Sequence, residues 1–427
     1  MSDQTSSERS DQVADRKVVV VDPYSAGRGI APAFAERGVG AIAVLTTAEP
    51  PAGLAKSWFP ENFTEVHVVN GDLSALADKL AGHEPLCVVP GTETGVETAE
   101  ALSELITPGR SNALERSHAR RDKFQMYVAL RDAGVPHLRQ ISSDSEEEVA
   151  RWLESTGLID SSIVLKPQES GGTDDVFVAS PGDDWRALFH RILGSVNKLD
   201  IVNDRVLVQE LAVGTEYEVD TYSIDGQHGL AAVWRYAKER RGERLGIYLS
   251  NTFVSPEDPV VAVLFEYVRQ VLDATGVRNG PAHVEVMVTE NGPKLIEIGA
   301  RCAGAEQQEL SFVGAGESQI TRMVEHWVDG KRDVGLYARK QYVKTVYLSS
   351  PRKGVLRNAE RLDRLAELMP SFQRDVIPYR DGSLVPRTDD LWTSLGYVVL
   401  ATTDADQLAA DEELVRRIES ELVIVDV

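Results

Sequence analysis

PAHVEVMVTENGPKLIEIGARCAG, residues 281–304, is the most informative stretch of the chain. Glu290-Asn291-Gly292-Pro293 is a turn signal, and apolar residues alternate on both sides of it. The alternation predicts a hairpin with Val284, Val286, Val288, Ile296 and Ile298 on one face, packed on a core. The other face carries His283, Glu285, Met287, Leu295, Glu297, Gly299 and Arg301. Glu285 and Glu297 are equidistant from Asn291, so a hairpin centred there sets them nearly opposite, with Cβ atoms about 5 Å apart. Two carboxylates so placed repel each other unless something positive lies between them. A divalent cation answers this, since Mg²⁺ takes a few carboxylate oxygens together with substrate phosphates. Arg301 adds a planar cation suited to phosphate oxygens. The plainer alternative is a solvated strand face with a cross-strand Arg–Glu pair.

Upstream, IVLKPQESGGTDDVFV (163–178) reads as a buried strand ending at Lys166-Pro167, a loop over Ser170, Gly171, Gly172 and Thr173, then a second strand. Two glycines let backbone N–H groups approach an anion, and Lys166 supplies a point charge. An ordinary hairpin with an exposed lysine accounts for the same residues. VLVQELAVGTEYEVDTYSI (206–224) reads as a strand to Glu210, a break, and a second strand from about Glu216. The break leaves backbone groups able to pair with an adenine edge, and Glu216 or Glu218 could accept from ribose hydroxyls. Lys123 falls on a charged helical segment, Arg116–Ala133, stopped by Gly134-Val135-Pro136.

The 427 residues suggest roughly three domains at about 150 residues each. The net charge of −22 argues against non-specific binding to nucleic acid or to an anionic membrane. Two cysteines, Cys87 and Cys302, cannot build a disulfide framework or a cysteine-rich metal site. No apolar run approaches the roughly 18 residues of a membrane span. Residues 1–15 are polar, without a secretory h-region, and read as a disordered leader of a cytoplasmic protein.

Apolar runs at 17–21, 41–45, 66–69 and 86–89 alternate with helical patterns at 30–37, 73–81 and 96–105. That order predicts a small α/β domain with a parallel sheet over about 16–115. Its Ser25-Ala26-Gly27-Arg28-Gly29 stretch fits a phosphate loop or, more simply, a tight strand-to-helix turn that needs glycine. Residues 340–427 read as a small α+β domain: strands at 342–348, 397–400 and 422–425, and a helix near 406–420.

Taken in order, Lys123, Lys166, the loop 170–173, Gln209, Glu210, Leu211 and Ala212 with Glu216, then Glu285, Glu297 and Arg301 resemble the ATP-grasp superfamily over about residues 116–330. Within it, AHVE (282–285) and IEIGARCAGAE (296–306) are most similar to the L-amino acid ligases. The resemblance implies an α/β and α+β chain with the ATP-grasp fold. Its N-terminal Rossmann-like domain would span 16–115, the nucleotide- and magnesium-binding domain 116–335, and the C-terminal α+β domain 336–427.

The activity implied is ATP-dependent carboxylate–amine ligation. ATP phosphorylates an amino acid carboxylate, an amine attacks the acyl phosphate, and ADP and phosphate are released. The resemblance also implies site roles. Lys123, Lys166, the 170–173 loop, residues 209–212, Glu216 and Leu295 hold the nucleotide, and Glu285 and Glu297 hold two Mg²⁺ ions, with Mn²⁺ as an alternative. Arg301 and Lys166 act in catalysis, and His283, Arg301, Ala305 and Glu306 face the substrates. The implied partners are small amino acids or amines, with no nucleic acid or membrane, and a second copy in a homodimer.

Two positions depart from the pattern. Many superfamily members carry Asn, a metal-holding residue, where this chain has Gly299, and a bulky Trp in related ligases is replaced by Ala305. The substitution of Ala305 implies a roomier amino acid pocket, to which 236–252 and 302–312 contribute. Two other readings share these residues. A biotin-carboxylase-like enzyme would carry a Gln-Val-Glu-His run soon after Arg301, where this chain has Cys-Ala-Gly-Ala-Glu-Gln. A non-catalytic nucleotide-binding protein would have no need of both lysines, both glutamates and Arg301 together.

Overall fold

A computed structural model describes residues 16–171, 174–304 and 306–426. The leader read over 1–15, Gly172 and Thr173 of the anion loop, and Ala305 lie outside the described residues.

Four parallel strands, Lys17–Val21, Gly40–Leu45, Glu65–Val68 and Cys87–Pro90, open the chain. The third, second, first and fourth lie side by side in that order. Val18 and Val20 pack on the helix Ile30–Ala35, while Val19 and Val21 join Leu80 and Leu102 on the opposite face. Burial on both faces is why these strands are uniformly apolar. After the first strand, Ser25–Gly29 forms a 3₁₀ turn leading into that helix. A Cβ at Gly27 would lie 2.5 Å from the Gly91 Cα. Close backbone approach therefore explains this glycine, as the strand-to-helix reading required.

The segment read as one helix over Arg116–Ala133 is divided. A 3₁₀ stretch, Leu114–Arg120, precedes an α-helix, Lys123–Asp132. The cause is local: the Asp122 carboxylate accepts from the N–H groups of Phe124 and Gln125 and starts a new helix. Lys123 thus stands in a first turn and not mid-helix. Just before it, Arg120 is wholly buried and donates to Glu100 (Nε, 2.7 Å), to Thr275 O (Nη1, 2.6 Å) and to Ala113 O (Nη2, 3.0 Å). It ties the helix Val96–Ile106 to the end of the helix Pro259–Thr275. Arg120→Ala strands the buried Glu100 charge, so urea denaturation is expected to show a loss of about 3–5 kcal/mol.

The hairpin is formed by Gly280–Thr289 and Gly292–Gly299. It stands at the edge of a sheet continued by Gly214–Ile224, Gln227–Arg241 and Arg244–Phe253. Arg244–Phe253 then meets two neighbours. Near Arg244 it pairs with Phe177–Ala179, which leads to Ile163–Pro167, Val206–Glu210 and Gln140–Ser143. Near Asn251 it pairs with Tyr342–Leu348, followed by Gly396–Thr402 and Phe372–Val376. Three C-terminal strands therefore extend the central sheet, while Gly354–Arg357, Leu384–Val385 and Val423–Val425 form a small sheet of their own.

The hairpin register places Glu285 opposite Glu297, but by a route the alternation did not reveal. A two-residue turn pairs Thr289 with Gly292, and a bulge between Glu285 and Val286 restores the match of the two glutamates. The bulge moves Leu295 across the sheet. Read on the polar face, Leu295 instead pairs with Val286 and joins the apolar core, while Ile296 is half-buried.

Candidate active site

The two hairpin carboxylates sit at the head of a row. Glu297 faces Glu285, and Glu285 faces Glu218 on the next strand. Lys123 reaches this row from its helix: Nζ lies 3.2 Å from Glu297 and donates to Ser170 O at 3.1 Å. The positive charge beside Glu297 is thus Lys123, whereas Arg301 points elsewhere. Glu285 takes His283 as its nearest basic partner, at 3.7 Å. Burial alone would push the Glu285 carboxyl up. The adjacent His283 and the charges of Lys238 and Lys123 overcome it and hold the group at about 2.

Lys166, at the end of its strand, is almost fully buried. Desolvation, reinforced by the neighbouring Lys123, pulls its ammonium down to about 8. Its Nζ donates to Gln209 Oε1 at 3.4 Å, and Gln209 donates in turn to Gln140. The Gln209 side chain therefore positions Lys166. In the 209–212 break, the N–H groups of Glu210 and Leu211 donate to the carbonyls of Arg139 (3.0 Å) and Ser162 (3.3 Å). The Glu210 carboxylate is clamped by the backbone N–H and Nε of Arg139. A cavity of about 20 Å³ bounded by Lys123, Gln140, Gln209, Leu295 and Ile296 lies behind this segment. Leu295 thus borders the site from the core side.

Glu216, expected at the ribose, is bound by Lys238 at 2.7 Å. Burial raises its carboxyl and Lys238 opposes that shift. Glu218 and Asp220 follow on the same face at a spacing of two and are almost fully buried. Burial and the charge of Asp220 lift the Glu218 carboxyl to about 8. His283 stands 3.2 Å from Asp220 Oδ1. Desolvation opposes its charge, but the hydrogen bond to Asp220 and the nearby Glu285 and Glu218 carboxylates outweigh it and hold the ring at about 10.

Arg301 Nε donates to Glu93 Oε2 at 2.7 Å. Glu93 follows the strand Cys87–Pro90 of the parallel sheet, and it also faces Arg121, whose Nη1 is 3.8 Å away. Burial favours the neutral Glu93 acid, but the charges of Arg301, Arg121 and Lys123 hold it ionised. Neither Glu93 nor Arg121 appeared among the sequence candidates. The turn PGTETG at the carboxyl end of a parallel strand was the available signal, since ligands gather there.

Glu93 also bears on the missing asparagine. A Cβ at Gly299 would stand 2.8 Å from Glu93 Oε2 and 3.4 Å from the Arg301 guanidinium. Restoring the asparagine with Gly299→Asn should displace both groups and lower kcat/KM roughly 10²-fold, measured by steady-state phosphate release.

The other predicted substrate group, Glu306, precedes the helix Gln307–Ala315 and accepts from Arg374 Nη2 at 2.5 Å. Cys302 is buried and its thiol is pushed far up by desolvation, in keeping with a structural role. The residues present suit a hard divalent ion. Five carboxylates, Glu216, Glu218, Asp220, Glu285 and Glu297, line one sheet face, and Glu218 Oε1 and Asp220 Oδ2 are buried without a hydrogen-bond partner among the described residues.

Two lysines, a half-buried carboxylate pair and a nearby arginine thus stand on an antiparallel sheet beside a parallel α/β unit. The family model of the ATP-grasp domain matches residues 159–309. Dapdiamide A synthase of Enterobacter agglomerans is 30% identical over 309 residues, 72% of each chain. The L-arginine-specific L-amino acid ligase of Bacillus subtilis is 24% identical over 307 residues, 70% of each. A crystal structure of an L-amino acid ligase from Bacillus licheniformis superposes with a TM-score of 0.69 at 13% identity, covering 96% of this chain and 99% of that one. The chain belongs to the ATP-grasp superfamily, in its L-amino acid ligase family, and is an ATP-dependent carboxylate–amine ligase. No helix among the described residues is long and apolar enough to cross a membrane.

Proposed function

We propose that this ligase joins the carboxylate of one amino acid to the amine of a second, and that residues 16–115, 116–335 and 336–427 act as its three units. The observation that carries the site assignment is the opposition of Glu285 and Glu297 within reach of Lys123. Lys123 and Lys166 would hold the phosphates, with Ser170, Gly171, Gly172 and Thr173 closing over them and excluding water. Glu216 and residues 209–212 would hold the nucleoside. Glu285 and Glu297 would hold magnesium, probed equally by manganese, which when bound neutralises charge on the terminal phosphates. Lys123 then exchanges its carboxylate partner for a phosphate oxygen.

Charge grows on the transferring phosphoryl group and again on the oxyanion formed by amine attack. Arg301, fixed by Glu93, is the cation that meets both. The amine nitrogen forms the new bond, phosphate leaves with the carbon–oxygen electron pair, and the ammonium proton is lost. His283, Ala305 and Glu306 would face the substrates.

The test supplies ATP, magnesium chloride and pools of L-amino acids, and follows phosphate release and product mass. Amino-acid-dependent phosphate with a condensed product is the expected result. Turnover that needs bicarbonate and biotin, or ATP binding without turnover in any pool, would overturn this reading.

A further inference from the structure

The polar face that carries Glu218 continues past the phosphate site as an aromatic ladder. Tyr236 Oη donates to Glu218 Oε2 at 2.5 Å. Its ring meets Tyr248 at 5.4 Å, Tyr248 meets Tyr347 at 5.5 Å, and Tyr347 meets Tyr397 at 5.7 Å between centroids. The four tyrosines come from four adjacent strands, the last two from the C-terminal part of the chain. Each remains partly exposed.

The start of the helix Gln307–Ala315 closes the ladder into a ring. Gln307 Nε2 donates to Glu218 Oε2 at 2.9 Å, and Glu306, whose charge acts on the Tyr397 hydroxyl, accepts from Arg374 Nη2. The ring carries two polar groups of opposite sign, the Glu218 carboxyl and the Arg374 guanidinium, reached from neighbouring residues at the start of that helix. Several of its groups are underused. Among the described residues, Glu218 Oε1, Asn251 Oδ1, Thr345 Oγ1 and Arg374 Nε are buried without hydrogen-bond partners. Asn251 and Thr345 are register partners, and Asn251 faces Tyr236 across the strands, so both lie on the ladder's face. Buried polar atoms left unpaired cost stability unless a ligand satisfies them.

We propose that this ring is the subsite for the amine-donating amino acid, and that Arg374 is a specificity residue gripping the carboxylate which survives the reaction. The inference rests on the ligase reading above. The chemistry of the two polar groups decides the class. An amine donor that is itself an amino acid keeps a spectator carboxylate, and the Arg374 fork holds one N–H without an acceptor while Glu306 occupies another. The tyrosine wall supplies flat apolar contact to its side chain. A simple amine offers nothing to Arg374.

The test compares wild type, Arg374→Gln and Arg374→Lys, each with the twenty L-amino acids and with the corresponding L-amino acid amides as acceptors. With Gln, the KM for acceptors bearing a free carboxylate should rise about 10-fold or more, while the KM for ATP stays at the wild-type value. Arg374→Lys should recover part of that loss, because it keeps the charge without the fork. Amide acceptors should not distinguish the three proteins. A wild-type KM for carboxylate acceptors in folded Arg374→Gln or Arg374→Lys overturns the assignment and leaves the ligase reading standing. Equal loss with amides and free acids overturns it too, since that marks a structural role. Absence of amino-acid-dependent turnover in the wild type is the separate result that removes the ligase reading itself.

Discussion

Glu297→Gln is expected to lower kcat by on the order of 10³-fold while leaving the fold intact. The substitution keeps the shape of the side chain and removes its charge. Glu297 is half-buried, opposite Glu285 and 3.2 Å from Lys123. Losing its charge weakens the cation site and frees Lys123 at the same time. Manganese titration followed by electron paramagnetic resonance should show weakened ion binding, and circular dichroism an unchanged melting profile. Near-normal turnover with normal manganese affinity would refute the assigned role.

Lys166→Met is expected to remove turnover to a similar extent, about 10²–10³-fold, with a contrasting effect on stability. The ammonium is buried and its pKa is depressed to about 8, from an unfolded value near 10.5. Between those two values the unfolded chain binds more protons at this residue than the folded one, so folding stability gains as pH rises through that window. Below about 8 the folded protein carries a desolvated charge whose hydrogen-bond partner among the described residues is Gln209, with the charges of Glu297, Glu285 and Glu216 only partly offsetting the burial. Met has similar length and no charge. The apo variant should therefore be more stable than wild type at pH 7, and its advantage should vanish above about pH 10.5. Urea denaturation at pH 7 and at pH 10.5 measures both points; a variant less stable at pH 7 would mean that Lys166 is net stabilising as a cation.

The contrast between these residues and Arg301 shows why pairings are harder to read than sites. Lys166, Glu285, Glu297 and Arg301 are singled out by turn and strand patterns, and Lys123 by the family resemblance. The cross-strand Arg–Glu pair considered as an alternative does not form. Arg301 turns to Glu93, 208 residues earlier in the chain. No local period relates positions so far apart.

Leu295 makes a smaller version of the same point. Alternation assigns every second residue to one face. One bulged residue reversed the assignment for Leu295 while preserving the Glu285–Glu297 opposition. The Arg116–Ala133 helix was misread for a related reason. The Asp122 cap, visible in the sequence as an acidic residue before Lys123, outweighs the continuous helical pattern around it.

The sequence by itself determined the strands of the N-terminal sheet and of the glutamate hairpin, the turn signal over Glu290–Pro293, the opposition of two carboxylates and the family to which their order belongs. These depend on short-range periodicity and on residue types that few other chemistries require. Tertiary structure decided which charges neutralise one another: Lys123 with Glu297, Lys238 with Glu216, Arg301 with Glu93, Arg374 with Glu306. It also decided that the C-terminal strands add tyrosines to the same sheet face. Such contacts follow from how separate elements pack, and a side chain's charge does not say which distant partner will meet it.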